Sequence, residues 1–329
     1  MTKTRLAGFL ALLLSAVIIS SCKKDSSASG GSSSAATRVT SYAMYQNSNL
    51  YESWINTYSG NQLTGSTSKA YVNGYELHYK TTIDYNNNRV SAITSYDSTA
   101  SAWIKEYDAV VTSWSAEGFP SEIINTFYDA SGFVRQQNIN QFTYSSGQLK
   151  EKKQLYYYMG TLTQYQRTEY NYDQNARLVK EVTFNQDSSQ YGTVDITWQN
   201  NLVVQAHFSI PAAYVNFKIV YTYSSGKLIN DTQYEDDTPT VPDITDEYSY
   251  DQNGCLVSKK NTIIASSQYD LWQYTYGEGQ GNIREVFKIG AGYENWNGNP
   301  DPYPAKPRTG IPGVFGAGTG QTLSDPDFY

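Results

Sequence analysis

The stretch YDQNGCL, residues 250–256, decides the fold because the chain writes it repeatedly: YDQNARL stands at 172–178 and YSSGQL at 144–149. Each is an aromatic, two or three small polar residues that include a Gly or Asn, and then an aliphatic. Aromatics ahead of such a turn recur at Tyr58, Tyr85, Trp114, Tyr144, Tyr172, Trp198, Tyr223, Tyr250 and Tyr276, always 25 to 30 residues apart. An even period of this length marks a repeat architecture, in which each copy is one supersecondary unit.

The turn chemistry gives the unit its shape. Short hairpin loops need positive φ, which Gly adopts without a Cβ penalty and Asn tolerates. Gly147, Gly226 and Gly254 fill that place, Asn88 and Asn201 substitute for it, and Ala176 marks a weaker copy. Further turn signals fall midway between anchors, among them YVNG (71–74), YDASG (128–132), IPAA (210–213) and DDTPT (236–240), so each unit holds two strands. Between turns the residues alternate with period two, the mark of strands with one buried and one wet face. Leu77, Tyr79, Thr81, Ile83 and Tyr85 share a face, as do Leu202, Val204, Ala206, Phe208 and Ile210, and as do Val215, Phe217, Ile219, Tyr221 and Tyr223. The chain is therefore expected to be all-β, an antiparallel meander of about eighteen strands from about nine two-strand repeats of about 27 residues. So many strands must curl or close into a barrel to hide their edges, and closure predicts a wet lumen as the natural ligand site.

YDQNGCL resembles the Tyr-Asp repeat of Rhs-type proteins, Y-D-x-x-G-x-L, at every specified position, and YDASGFV (128–134) and YDQNARL are near copies. Over about residues 39–289 the chain is also similar to a family of Gram-negative secreted lipoproteins, a domain of unknown function with a porin-like β fold. That resemblance implies a large sheet that curls or closes, and it implies no activity.

The N-terminus reads as an address. Lys3 and Arg5 precede the uncharged run LAGFLALLLSAVII (6–19), too short for a comfortable membrane span and suited to a signal peptide over residues 1–21. Next, ISSC (19–22) resembles a lipobox, whose cysteine, Cys22, becomes the acylated mature N-terminus. Acyl chains such as palmitate hold a protein on a bilayer at about 0.8 kcal/mol per buried methylene. Residues 22–38 continue as a Ser/Gly-rich tether, 39–289 as the β-repeat domain, and 290–329 as a Gly/Pro-rich tail. The expected location is the outer membrane, anchored by lipid on its periplasmic or cell-surface face. Removing the leader takes two cations from the formal charge of −7, leaving −9 and arguing against nucleic acid as a partner. Cys255 is the one cysteine besides Cys22, so a free thiol beside a turn is expected there.

Strand length and the 31 tyrosines would suit an outer-membrane pore, with aromatics as interface girdles. Charges argue otherwise. In QLKEKKQLYYY (148–158) Glu151 and Lys153 take one face and Lys150 and Lys152 the other, while Lys259 and Lys260 also alternate, so either face would bring charge to lipid. The preferred form is a soluble, strongly curved sheet or barrel on a lipid tether.

Catalytic signatures are absent. There is no GxSxG, GxxxxGK[ST] or HExxH, and the two histidines, His78 and His207, lie on the polar faces of separate strands. No metal or cofactor is expected, and the acidic run EDDTPTVPDITDE (235–247) reads as a solvated hairpin tip. The expected function is a non-catalytic binding or scaffold module of the cell envelope, its ligand a glycan or an envelope protein. An outer-membrane pore is the alternative and an unrecognised carbohydrate-active enzyme the second. The nine anchors are expected to close their hairpins; on strands about 4.8 Å apart they could also form a sugar-stacking platform.

Overall fold

The computed structural model describes residues 38–72, 75–98, 102–116, 118–213, 215–252 and 255–277. Eighteen strands follow one another along the chain. The first nine are β1 (Arg38–Gln46), β2 (Asn49–Ser59), β3 (Gln62–Val72), β4 (Tyr75–Asn86), β5 (Arg89–Ser98), β6 (Trp103–Trp114), β7 (Pro120–Tyr128), β8 (Val134–Ser145) and β9 (Gln148–Tyr158). The second nine are β10 (Thr161–Tyr172), β11 (Leu178–Asn185), β12 (Gln190–Gln199), β13 (Leu202–Ile210), β14 (Val215–Ser224), β15 (Lys227–Glu235), β16 (Pro242–Tyr250), β17 (Leu256–Ile263) and β18 (Gln268–Gly277). Every strand pairs antiparallel with its neighbours in sequence, and β18 pairs with β1, so the sheet closes into one barrel without edges. Because the meander alternates direction, all anchor turns lie on one rim and all the other hairpins on the opposite rim.

The turns form as their residues require. Asn87–Asn88, Ser146–Gly147, Asn200–Asn201 and Ser225–Gly226 are pairs of consecutive positive-φ residues, the conformation of a type I′ hairpin loop whose twist matches the flanking strands. Where the copy reads Tyr-Asp, the loop is longer and the aspartate closes it. Asp173 accepts hydrogen bonds from the backbone N–H groups of Asn175 and Arg177 at 2.8 and 2.9 Å, and Asp251 accepts from Cys255 at 2.8 Å. Copies with the two-residue loop have no such group to satisfy, which explains why they dispense with the aspartate. Ala176 takes φ of 61° in the place that Gly fills elsewhere. Gly254 lies outside the described residues.

A bulge that alternation does not announce follows each anchor turn. In all nine units the residue after the aliphatic is skipped in the register, as at Thr64 between Leu63 and Gly65, Val204 between Val203 and Gln205, and Val257 between Leu256 and Ser258. The expected face of LVVQAHFSI is corrected by it. Val203, Ala206 and Phe208 are buried together, whereas Leu202 and Val204 are not. On β4 and β14 the alternation expected from sequence holds, with Tyr79, Thr81 and Ile83 buried, and Phe217, Ile219 and Tyr221 likewise.

The anchors fasten one unit to the next. Tyr85 donates its hydroxyl to the carbonyl oxygen of Leu63 at 2.7 Å, Tyr172 to Leu149 at 2.9 Å, Tyr250 to Leu228 at 2.8 Å, and Tyr276 to Leu256 at 2.7 Å. Tyr58 donates to Val39 at 3.0 Å, Tyr144 to Pro120 at 3.1 Å, and Trp198 uses its indole N–H on Leu178 at 2.7 Å. Each acceptor is the residue just before a bulge, where the ladder is interrupted. A cation beside that residue then covers the ring: Arg38 over Tyr58, Arg89 over Trp114, Lys150 over Tyr172, Arg177 over Trp198 and Lys227 over Tyr250, at 4.6 to 5.5 Å from the centroid. Tyr128, though it also opens a Tyr-Asp stretch, ends β7 at the opposite rim and donates to the Asp108 carboxylate instead.

Much of the inward face is buried. Large inward side chains supply the volume: Tyr42 stacks on Trp54 at 4.3 Å and Phe208 on Phe217 at 4.8 Å, and Leu63, Val90, Leu149, Val203 and Leu256 are sealed completely near the anchor rim. Outward, the wall carries ion pairs between strands. Arg167 meets Glu151 and Glu169, Lys180 meets Asp195 at 2.9 Å, and Lys260 meets Glu247 at 3.8 Å.

Two substitutions test this account by denaturant unfolding. Tyr85→Phe should cost about 1 kcal/mol by orphaning the Leu63 carbonyl. Ala176→Gly should stabilise by about 0.5–1 kcal/mol, relief of the left-handed strain outweighing the added chain entropy. A neutral Tyr85→Phe would refute the fastening role.

Candidate functional site in the barrel interior

Opposite pairs on β15, β16 and β17 assemble a charged cluster on the inner face. Asp231 on β15 faces Asp246 on β16, Asp246 faces Asn261 on β17, and Lys259 faces Tyr248 and Trp272. Alternation places them inside because Leu228, Tyr248 and Leu256, which flank them, must pack inward. The charged members are buried: Asp246 is 1% exposed, Lys259 2% and Asp231 6%. The Lys259 ammonium contacts the Asp246 carboxylate at 3.2 Å, Asn261 donates to Asp246 at 2.6 Å, and Tyr248 donates to Asp231 at 2.7 Å.

One ammonium cannot neutralise this many buried carboxyls. Burial, then the charge of Asp246, pushes the Asp231 carboxyl well above the carboxylate range, against the pull of Lys259 and the Tyr248 hydrogen bond. Asp231 is thus the protonated member beside an ionic Asp246–Lys259 pair. Asp270, opposite Asn261, is also raised, chiefly by burial. The Tyr221 hydroxyl, opposite Asp231 and buried, finds no hydrogen-bond partner. Two facing carboxyls, one of them raised and the other paired with an ammonium, are the parts of an acid–base pair. Here they are enclosed by Tyr221, Tyr248 and Trp272, so as folded they bind their own neighbours.

Other carboxyls, buried or half-buried, follow the same physics around the wall. Glu52, 4% exposed and opposite Met44, is pushed by burial to about 9 despite a hydrogen bond from Ser68. Glu106 rises to about 7 through burial and the nearby charge of Asp97. Glu181 rises to about 7 through burial, moderated by Lys152. Sequence reasoning missed all of these, because a lone Glu or Asp on an inward position looks like a wet-face residue unless the bulge is placed correctly. For Asp246 the correction is direct: the run 235–247 is not all a solvated tip, since its turn covers 236–241 and Asp246 lies deep in β16.

The remaining candidates are dispersed. The anchors Tyr58, Tyr85, Trp114, Tyr144, Tyr172, Trp198, Tyr223, Tyr250 and Tyr276 stand around one rim, partly buried and packed against the core. With seven of the nine donating to backbone carbonyls and several faces under cations, they offer little open ring surface to a sugar. His78 lies 3.0 Å from Glu76, and His207 lies 2.9 Å from Asp236, near opposite sides of the sheet order. Among the described residues no group of three or more His, Cys, Asp or Glu side chains is placed to hold a metal ion. Cys255 is fully buried beside its turn, and Cys22 lies outside the described residues.

No family model matches the chain, and no curated protein does. Among solved structures it is similar to a porin-like protein from Bacteroides uniformis, 9% identical, covering 74% of this chain and 99% of that one with a TM-score of 0.41. A porin-like protein from Bacteroides vulgatus is 10% identical over 73% of this chain and 99% of that one, with a TM-score of 0.26. A beta-barrel-like protein of a domain of unknown function, DUF1849, from Brucella abortus is 10% identical over 73% and 98%, with a TM-score of 0.21. No residue role is taken from them.

The interior carboxyls make stability depend on pH in a definite direction. A carboxyl raised in the folded state binds more protons folded than unfolded, so stability is full below its unfolded value and falls as pH climbs toward its folded one. For Glu52 that window runs from its ordinary 4.5 up to about 9. Glu52→Gln should therefore raise the Tm at pH 8 by roughly 5 °C and change it little at pH 4.5. Parallel melts of both proteins followed by circular dichroism check this, and an equal Tm difference at pH 4.5 and pH 8 would count against it.

Proposed function

We propose that the chain is a non-catalytic lipoprotein of the cell envelope, a β-barrel binding or scaffold module held on the outer membrane through Cys22. The observation that carries this is the inner face, whose aromatic and charged groups, Tyr42, Trp54, Asp231, Asp246 and Lys259 among them, are buried against their own neighbours. The outer wall supports the same reading over that of a lipid-embedded pore. Ion pairs such as Arg167 with Glu151 and Lys180 with Asp195 stand where acyl chains would lie, at about 2–4 kcal/mol per cation near a bilayer midplane. Its ligand on this reading is a glycan or an envelope protein.

Cells fed labelled palmitate should acylate the wild-type chain and not Cys22→Ser, and the purified protein should give no channel conductance in planar bilayers. Discrete conductance steps would restore the pore reading. A glycan-hydrolase activity that disappears in Asp231→Asn, with the β signal of the barrel intact, would replace the module by an enzyme.

A further inference from the structure

The two rims differ in what they show to solvent. The anchor rim tucks its aromatics into the next unit, whereas the opposite rim leaves apolar side chains standing out. Among the described residues fourteen large apolar side chains are exposed, and all but Ile55 and Ile229 lie at this second rim. Tyr75 is 74% exposed, Phe133 73% and Met159 62%, on the β3–β4, β7–β8 and β9–β10 hairpins. Trp103 opens β6, and Ile264 stands in the β17–β18 turn. An exposed apolar set this concentrated marks an interaction site, not scatter.

We propose that this rim docks on the surface of a lipid bilayer of zwitterionic headgroups, dipping its hairpin tips into the interface while the barrel wall stays in water. Closure of the meander sets all these tips around one loop, and a bilayer is the partner that meets a whole rim at once. The side chains are of the interfacial kind, Trp and Tyr with a polar handle beside Phe, Met and Ile. Charge selects the lipid. Lys69 is paired with Glu76 and Lys105 with Asp108, while Glu235, Asp236, Asp237 and Asp243 leave the β15–β16 side acidic, which disfavours anionic headgroups. Both ends of the described chain leave from the other rim, at Arg38 and Gly277, so neither terminal strand covers the tips. The fifteen residues between Cys22 and Arg38 reach about 50 Å when extended, against about 40 Å for a twelve-residue strand, so a lipid anchor and a docked rim are compatible. Docking does not require the anchor, and palmitate labelling tests that separately.

The test is fluorescence of the full chain with vesicles of phosphatidylcholine brominated on the acyl chains. Tryptophan emission should be quenched, equally at low salt and in about 0.5 M NaCl, since apolar burial is not screened. Trp103→Phe should abolish the quenching, Trp198→Phe on the opposite rim should leave it, and Phe133→Ser with Met159→Ser should reduce it at least several-fold. Ile55→Ser, exposed on the outer wall, is the folded control and should match wild type. Quenching that survives Trp103→Phe overturns the proposal, as does none at all from the wild-type protein, the result expected if the rim serves a protein partner.

Discussion

The barrel depends on one interaction repeated around a rim: an aromatic donor of one strand reaching the carbonyl that a bulge has left beside the start of its neighbour. A β-bulge interrupts the ladder and bends the strand. Left alone it would weaken the sheet at the very place where the strand must turn inward. The phenol of Tyr85 on Leu63, or the indole of Trp198 on Leu178, gives that carbonyl a partner while the ring fills the space the bend opens. Each bond contributes about 1 kcal/mol. The geometric effect is larger, because the same curvature imposed nine times turns a flat meander through a full circle.

Closure completes the pattern. Tyr276 in the last strand stands opposite Val39 in the first, with Thr40 bulged after it, in the arrangement that Tyr58, Leu63 and Thr64 make within one hairpin. The β18–β1 seam is therefore the ninth anchor turn with its loop cut, and the chain begins and ends inside a repeat unit. Splitting a unit between the termini joins the seam through non-local pairing, which stabilises the whole ring only once all units have formed. Such pairing has a high contact order and folds slowly. It also removes the exposed edges that a linear array of this length would otherwise present.

The parts of the fold legible in the sequence are those written in local chemistry. Anchor spacing gave the unit, and the Gly and Asn of 147, 226, 88 and 201 gave the turns, all found with positive φ. Strand number followed, and so did the faces of β4 and β14. What could not be read was the bulge after each aliphatic, since Thr64, Lys150 and Val204 have no composition in common. That one unread residue exchanges the faces of the residues before it relative to the remainder of the strand, so that Val203 and not Leu202 joins Ala206 and Phe208 inside. Interior charges were hidden for the same reason. Lys152 and Lys259 look like surface lysines in KEKK and SKKN, yet they point inward as partners of buried carboxyls.

A polar interior also follows from closure itself. Eighteen inward faces offer more lining positions than a dry apolar core needs, and alternation along each strand fixes which residues fill them. Where a carboxyl falls inside, the chain either supplies a cation, as Lys259 does for Asp246, or leaves the group protonated, as at Asp231 and Glu52. Both solutions leave the inner face neutral enough to pack, and neither leaves a side chain free for a ligand. The anchor rim is equally committed, seven of its nine donors bound to backbone and five of its rings under cations. Structural demand thus occupies the interior and one rim, so the surfaces free to carry recognition are the outer wall and the opposite rim. Of these, the wall is covered by paired charges, which contribute little affinity when exposed. The second rim alone combines apolar area with hairpin tips whose sequence the fold does not dictate.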